Sequence, residues 1–148
     1  MFKNVLVICA GNICRSPTGE HLLQRNLTGT GIRVSSAGLT AVVGHPFERH
    51  ALATLQRHGQ QPHEHQARQL SPQLLLASDL VLVMERRHLQ EVIKLSPLAR
   101  GKTFLLGKWQ SEREIPDPYR QGEAAFEHAY ALIEEGADAW SRRIQPQR

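Results

Sequence analysis

Val5-Leu6-Val7-Ile8-Cys9-Ala10-Gly11-Asn12-Ile13-Cys14-Arg15-Ser16-Pro17 is the stretch around which the chain is organised. Val5 to Ile8 are aliphatic without alternation, the pattern of a strand buried on both faces, as in a parallel sheet. The polar loop that follows therefore leaves the carboxyl end of a central strand. Ser16-Pro17 reads as a helix start, with Ser16 capping free N–H groups and Pro17 at the first helical position, where no donor is needed. A loop between a strand end and a helix N-terminus aims backbone N–H groups and the positive end of a helix dipole at one point. That geometry suits a tetrahedral oxyanion.

Cys9 opens the loop and Arg15 closes it after five intervening residues. A guanidinium can bind two phosphate oxygens at once, which an ammonium cannot. A thiolate beside a helix N-terminus and a guanidinium is stabilised, so Cys9 is expected to be a ready nucleophile. Alone, a cysteine at a strand end is a small buried residue and Gly11-Asn12 is a turn. Together with Arg15 and Ser16 they read as a phosphate cradle with a nucleophile in it, lined by Ala10, Gly11, Asn12, Ile13, Cys14 and Ser16. Neither G-x-x-x-x-G-K-[ST] nor G-x-G-x-x-G occurs in this stretch, so a nucleoside triphosphate or dinucleotide site is not supported.

Outward from this stretch, strands and helices alternate. Pro17 to about Leu27 reads as a helix stopped by Gly29-Thr30-Gly31, and Ile32 to Ser36 as a short strand. A loop of small residues, Gly38 to Pro46, leads to a helix over Phe47 to His58, closed by Gly59. Gln60 to Gln69 is a polar connection, and Ser71-Pro72 starts a helix to about Ala77. Leu80 to Met84 reads as a third buried strand, Arg86 to Leu95 as a helix ended at Ser96-Pro97, and Thr103 to Leu106 as a fourth strand. A long loop over Gly107 to Gln121 precedes a helix from Glu123 to Arg143. Strands joined by helices run parallel with right-handed crossovers. The expected fold is α/β, one domain over residues 1–148, with a four-stranded parallel sheet, helices on both faces and an oxyanion-binding loop after the first strand. Ligands in such sheets bind beyond the carboxyl ends of the strands, so Asp117 can reach Cys9.

With 41% hydrophobic and 22% charged residues, the composition is that of an ordinary globular protein. No apolar run approaches the ~18 residues of a membrane span. Met1-Phe2-Lys3 leads straight into the first strand without room for a signal peptide, so the expected compartment is the cytoplasm, with both cysteines reduced. The net charge of +4 favours anionic partners. Nucleic acid is not expected, because Lys and Arg are scattered and 5% aromatic residues supply little to stack bases on.

The loop resembles that of the low-molecular-weight protein tyrosine phosphatases, C-x-G-N-I-C-R-S-P, here Cys9 to Pro17. The resemblance extends to Ser36-Ala37-Gly38, to His65 with Ala67-Arg68-Gln69, and to Asp117-Pro118-Tyr119, and it is nearest to the bacterial exopolysaccharide-associated branch. It implies hydrolysis of phosphotyrosine through a cysteinyl phosphate, with no cofactor or metal. The substrate it implies is a tyrosine-phosphorylated protein, a tyrosine autokinase of polysaccharide export. Cys9, Arg15 and Asp117 are then catalytic, Asp117 as general acid, with Glu112 and Glu114 as alternatives. Ser16 has two readings, the helix cap and a hydroxyl donor to the Cys9 sulfur that eases its departure, and Asn12, Ser16, Ser36 and His65 support the loop. Ile13, Leu39, Phe47 and Tyr119 wall the cleft, and Arg120 stands where many eukaryotic members carry a second tyrosine. Cys14 is either packing or a redox guard that bridges to Cys9. His58, His63 and His65 lack a credible fourth ligand for a metal. Arsenate reductase shares the fold but needs further cysteines, and the two in this chain are Cys9 and Cys14. A phosphotyrosine-binding module would need neither Cys9 nor Asp117.

Overall fold

Strand β1, Asn4–Cys9, occupies an inner position of the sheet, as its unbroken apolar run demands. A computed structural model describes residues 2–146. It contains α1 (Arg15–Asn26), β2 (Arg33–Gly38), α2 (Arg49–Arg57), α3 (Pro72–Leu76), β3 (Leu80–Val83), α4 (Arg86–Leu95), β4 (Thr103–Leu105) and α5 (Glu123–Ile144). The strands form one parallel sheet in the order β2-β1-β3-β4. Alternate residues of β1 feed two cores. Val5, Val7 and Cys9 pack with Leu22, Leu23, Ile133 and Trp140 of α1 and α5, while Leu6 and Ile8 pack with Leu75 and Val92 of α3 and α4. Helices therefore cover both faces, and this is why the strand shows no polar alternation. Each such aliphatic side chain, fully buried, contributes about 1.5–3 kcal/mol.

The element boundaries depart from expectation where side chains compete for the helix ends. Helix α1 begins at Arg15, two residues early, with Cys14 at its cap position and no side chain capping it. Ser16 is not the cap. Its hydroxyl is turned to Cys9 instead. Helix α2 begins at Arg49 rather than Phe47, because the Glu48 carboxylate accepts from the His50 N–H and ends the preceding extended backbone. A short 3-10 segment, Pro97–Lys102, follows Ser96, and α5 runs on to Ile144.

Two features bring distant segments against the loop after β1. A Cβ on Gly38, at the end of β2, would stand 2.5 Å from the Ala10 carbonyl oxygen, so only glycine lets β2 end this close. The polar connection after α2 returns along the same edge, with Gly38 donating to the Arg68 carbonyl and Leu70 to the Gly38 carbonyl. Among the described residues, no helix is long and apolar enough to cross a membrane.

Candidate active site

The loop from Cys9 to Cys14 turns every one of its carbonyls outward. Those of Cys9, Ala10 and Gly11 accept from the N–H groups of Leu39 (3.0 Å), Thr40 (3.0 Å) and Val42 (3.1 Å). The Asn12 carbonyl accepts from His65 Nε2 at 2.6 Å, that of Ile13 from Glu48 N at 2.8 Å, and that of Cys14 from both N and Oγ1 of Thr18. In a trans peptide the next N–H points opposite to the carbonyl, and no described peptide is cis. The N–H groups of residues 10 to 15 therefore face the inside of the loop. Asn12, in left-handed backbone at φ 61°, shows the result, with its N–H 3.3 Å from Cys9 Sγ.

The side chain of Asn12 orders the groups behind the sulfur. Its Oδ1 accepts from the Arg68 N–H at 2.9 Å, so Nδ2 faces the serines and donates to Ser16 Oγ (2.8 Å) and Ser36 Oγ (2.9 Å). With that acceptor position used, Ser16 has its own proton for Cys9 Sγ, 2.9 Å away. The Ser36 hydroxyl in turn donates to Glu20 Oε1 at 2.5 Å. His65 can only donate to a carbonyl, so its Nε2 carries hydrogen. Asn12, Ser16, Ser36 and His65 are thus one connected network ending on the sulfur, and Glu20 is a member with no motif to mark it.

Arg15 is almost wholly buried at the start of α1. Its Nη1 is committed to Glu85 Oε2 at 2.6 Å and the Ile115 carbonyl at 2.7 Å, which leaves the Nε and Nη2 edge for a ligand. Burial works against ionisation of Glu85, but hydrogen bonds from Arg87 and Arg15 outweigh it and hold the carboxyl below its ordinary value. Glu85 was not singled out from the sequence. Its signal was positional, as the cap residue of α4 just beyond the carboxyl end of β3.

A cleft of about 250 Å³ opens over the loop, lined by Cys9, Arg15, Thr40, Val42, Asp117 and Tyr119 among others. Asp117 is the one carboxylate in that lining. Its Oδ2 lies 3.8 Å from Arg15 Nη2, and its Oδ1 accepts from Tyr119 N. Glu114 is taken up by Arg86, whose N–H it caps at 2.7 Å, and Glu112 faces Lys108 at 3.5 Å. Leu39 and Phe47 lie off the cleft. Leu39 packs on the Leu6 and Ile8 core, and Phe47 packs behind the loop 5.3 Å from the His65 ring, so Thr40 and Val42 form that wall. Ile13 and Tyr119 do border the cleft. Cys14 also borders it and packs with Ala51 and Phe126; burial, then Glu48 and Cys9, push its thiol well up. His58 pairs with Glu127 at 2.7 Å, away from His65. Among the described residues no group of three or more His, Cys, Asp or Glu is gathered for a metal.

The family model for the low molecular weight phosphotyrosine protein phosphatases matches residues 4–148. The chain belongs to this family. It is 42% identical over 143 residues to the low molecular weight protein-tyrosine-phosphatase Etp of Escherichia coli K12, which covers 97% of this chain and 95% of Etp. The structure of Vibrio vulnificus Wzb in complex with benzylphosphonate matches with a TM-score of 0.92 at 43% identity, over 97% of this chain and all of that one. The Erwinia amylovora tyrosine phosphatase AmsI matches with a TM-score of 0.94 at 41% identity, over 99% and 95%. These relatives are of the exopolysaccharide-associated branch, so this phosphatase and its branch are those the loop motif suggested.

Proposed function

We propose that this phosphatase removes the phosphoryl group from tyrosine in a protein through a cysteinyl-phosphate intermediate. The observation that carries the reading is the inward ring of N–H groups around Cys9 Sγ, with Arg15 at its edge and Asp117 above. The non-bridging phosphate oxygens take the ring N–H groups and the Nε/Nη2 edge of Arg15. Cys9 attacks phosphorus in line with the ester bond; the S–P bond forms, the P–O bond to the ring breaks, and Asp117 gives its proton to the departing phenolate. Asp117 then takes a proton from water, whose oxygen attacks phosphorus. The S–P bond breaks, and the sulfur leaves as an anion into the hydrogen bonds from Ser16 and the Asn12 N–H.

The walls support an aryl ester, since Ile13, Val42 and Tyr119 offer apolar contact above a nucleophile on the loop floor. A shorter phosphoserine would not bring its phosphorus as deep. The substrate protein is the one the family resemblance implies, a tyrosine autokinase of polysaccharide export, met in the cytoplasm by a single domain spanning residues 1–148; the relatives Wzb, Etp and AmsI support the protein-tyrosine-phosphatase activity on which this rests. The test is rapid quench of the enzyme with a phosphotyrosine peptide, followed by mass spectrometry. The phosphoryl group should sit on Cys9, and Cys9→Ser should keep the circular dichroism spectrum while losing turnover. Turnover by Cys9→Ser, or label on another residue, would overturn the scheme.

A further inference from the structure

We propose that Arg120 reads an acidic side chain beside the phosphotyrosine of the substrate protein, making it a specificity residue at the rim of the cleft. The proposal rests on the phosphotyrosine reading above and adds what the neighbouring substrate residue must be.

Tyr119 borders the cleft together with Cys9, Arg15 and Asp117, and Arg120 follows it in the chain and packs on its ring. The segment is a tight turn, in which Gln121 N donates to the Pro118 carbonyl at 2.9 Å and Tyr119 N donates to Asp117 Oδ1. Within it Arg120 sits at φ 62°, a left-handed backbone that an L-residue with a long side chain rarely adopts. The guanidinium is held over the Tyr119 ring, 5.2 Å from its centre. A cation–π contact uses none of the guanidinium's N–H donors in a hydrogen bond to a carboxylate, so they remain for one on a ligand.

Charge placement argues for the same ligand. Among the described residues, no carboxylate lies within ion-pair distance of Arg120, although the turn exposes it to solvent. Arg15 and Arg87, by contrast, are both paired with Glu85, and the Arg68 guanidinium donates to the Ser36 carbonyl. An acidic substrate residue at the rim meets in Arg120 an exposed cation that, among the described residues, no carboxylate already pairs. Consecutive residues of an extended peptide are about 3.3–3.6 Å apart, so a Glu one or two positions from the phosphotyrosine comes within reach of the rim.

The experiment compares two phosphotyrosine peptides, one with Glu and one with Gln in the two positions on each side. Each kcat/KM is normalised to that of phenyl phosphate with the same protein. The wild type should prefer the Glu peptide by about two- to fivefold at low salt, the scale of an exposed ion pair. In about 1 M salt, where the Debye length shrinks to roughly 3 Å, the preference should vanish. Arg120→Gln should bring the ratio to about one, and so should Arg120→Asn, whose side chain suits the left-handed backbone. A wild type indifferent to the Glu, or a preference that survives in both variants, overturns the proposal. Failure of the phosphotyrosine reading is separate, because then neither peptide nor phenyl phosphate is consumed.

Discussion

Between pH 7 and pH 5 a single buried histidine should cost this fold about 2 kcal/mol of stability, and His88→Leu should remove that loss. His88 lies on α4 with 1% of its surface exposed, and neither ring nitrogen has a hydrogen-bond partner. Glu85 Oε2 stands 3.7 Å from Nε2, beyond hydrogen-bond distance, and is already held by Arg15. Burial first, then the Arg15 guanidinium, bring its pKa down from 6.5 to about 4; Arg87 adds to this, while Glu85 and Asp117 oppose it. In the unfolded chain the group keeps its ordinary value, so as pH falls through 6.5 the unfolded state binds a proton that the folded state refuses. Stability then falls by up to about 1.36 kcal/mol per pH unit until the folded group titrates near 4. Integrated between pH 7 and pH 5, this is about 2 kcal/mol. The depressed carboxyl of Glu85 contributes stability above its ordinary range near 4.5 and loses it only at lower pH, outside the window. Urea denaturation at pH 7, 6 and 5 measures the effect as the wild type losing stability relative to His88→Leu. Parallel pH dependences for the two proteins would refute the assignment.

Asp117→Ala should lower kcat/KM for phenyl phosphate by about 10²- to 10⁴-fold and much less for 4-nitrophenyl phosphate, whose phenolate leaves without a proton. A loss independent of leaving-group pKa would remove Asp117 from the acid role, with Glu112 and Glu114 already engaged by Lys108 and Arg86. Peroxide should inactivate the enzyme reversibly, because a Cys9 sulfenic acid condenses with the Cys14 thiol, releasing water and forming a disulfide that added thiol reduces. Oxidation of Cys9 also removes one of the charges that keep the Cys14 thiol protonated. In Cys14→Ser the inactivation should become largely irreversible, and equal recovery in both proteins would leave Cys14 a packing residue.

The sequence by itself determined the α/β class, the order of the elements, and the loop with Cys9 and Arg15 at its ends. These rest on local periodicity and spacing, which a chain carries in its own order: the unalternating run before Cys9 already requires cover on both faces. Asp117 was legible through the family motif. Helix starts were less so, since a serine beside a proline has the chemistry of a cap as well as of a donor to the sulfur, and of these two readings of Ser16 the folded loop keeps the second and not the first. Leu39 and Phe47 were misplaced for a related reason. A loop's composition does not say which side chain turns to the core and which to the cleft.

Tertiary structure alone decided the partners of Arg15. Glu85 is 70 residues away and the Ile115 carbonyl 100, and they meet Arg15 because β1 pairs with β3 in a register that sets Ile8 beside Val83. The link from Glu20 through Ser36 to Asn12 likewise exists only once β2 lies on the other side of β1. Register depends on the summed packing of two apolar faces, a property of the sheet that no single segment encodes. The outward turn of the Cys9, Ala10 and Gly11 carbonyls follows from it, since the Leu39, Thr40 and Val42 N–H groups that donate to them come just after β2, where Gly38 lets the two segments close together.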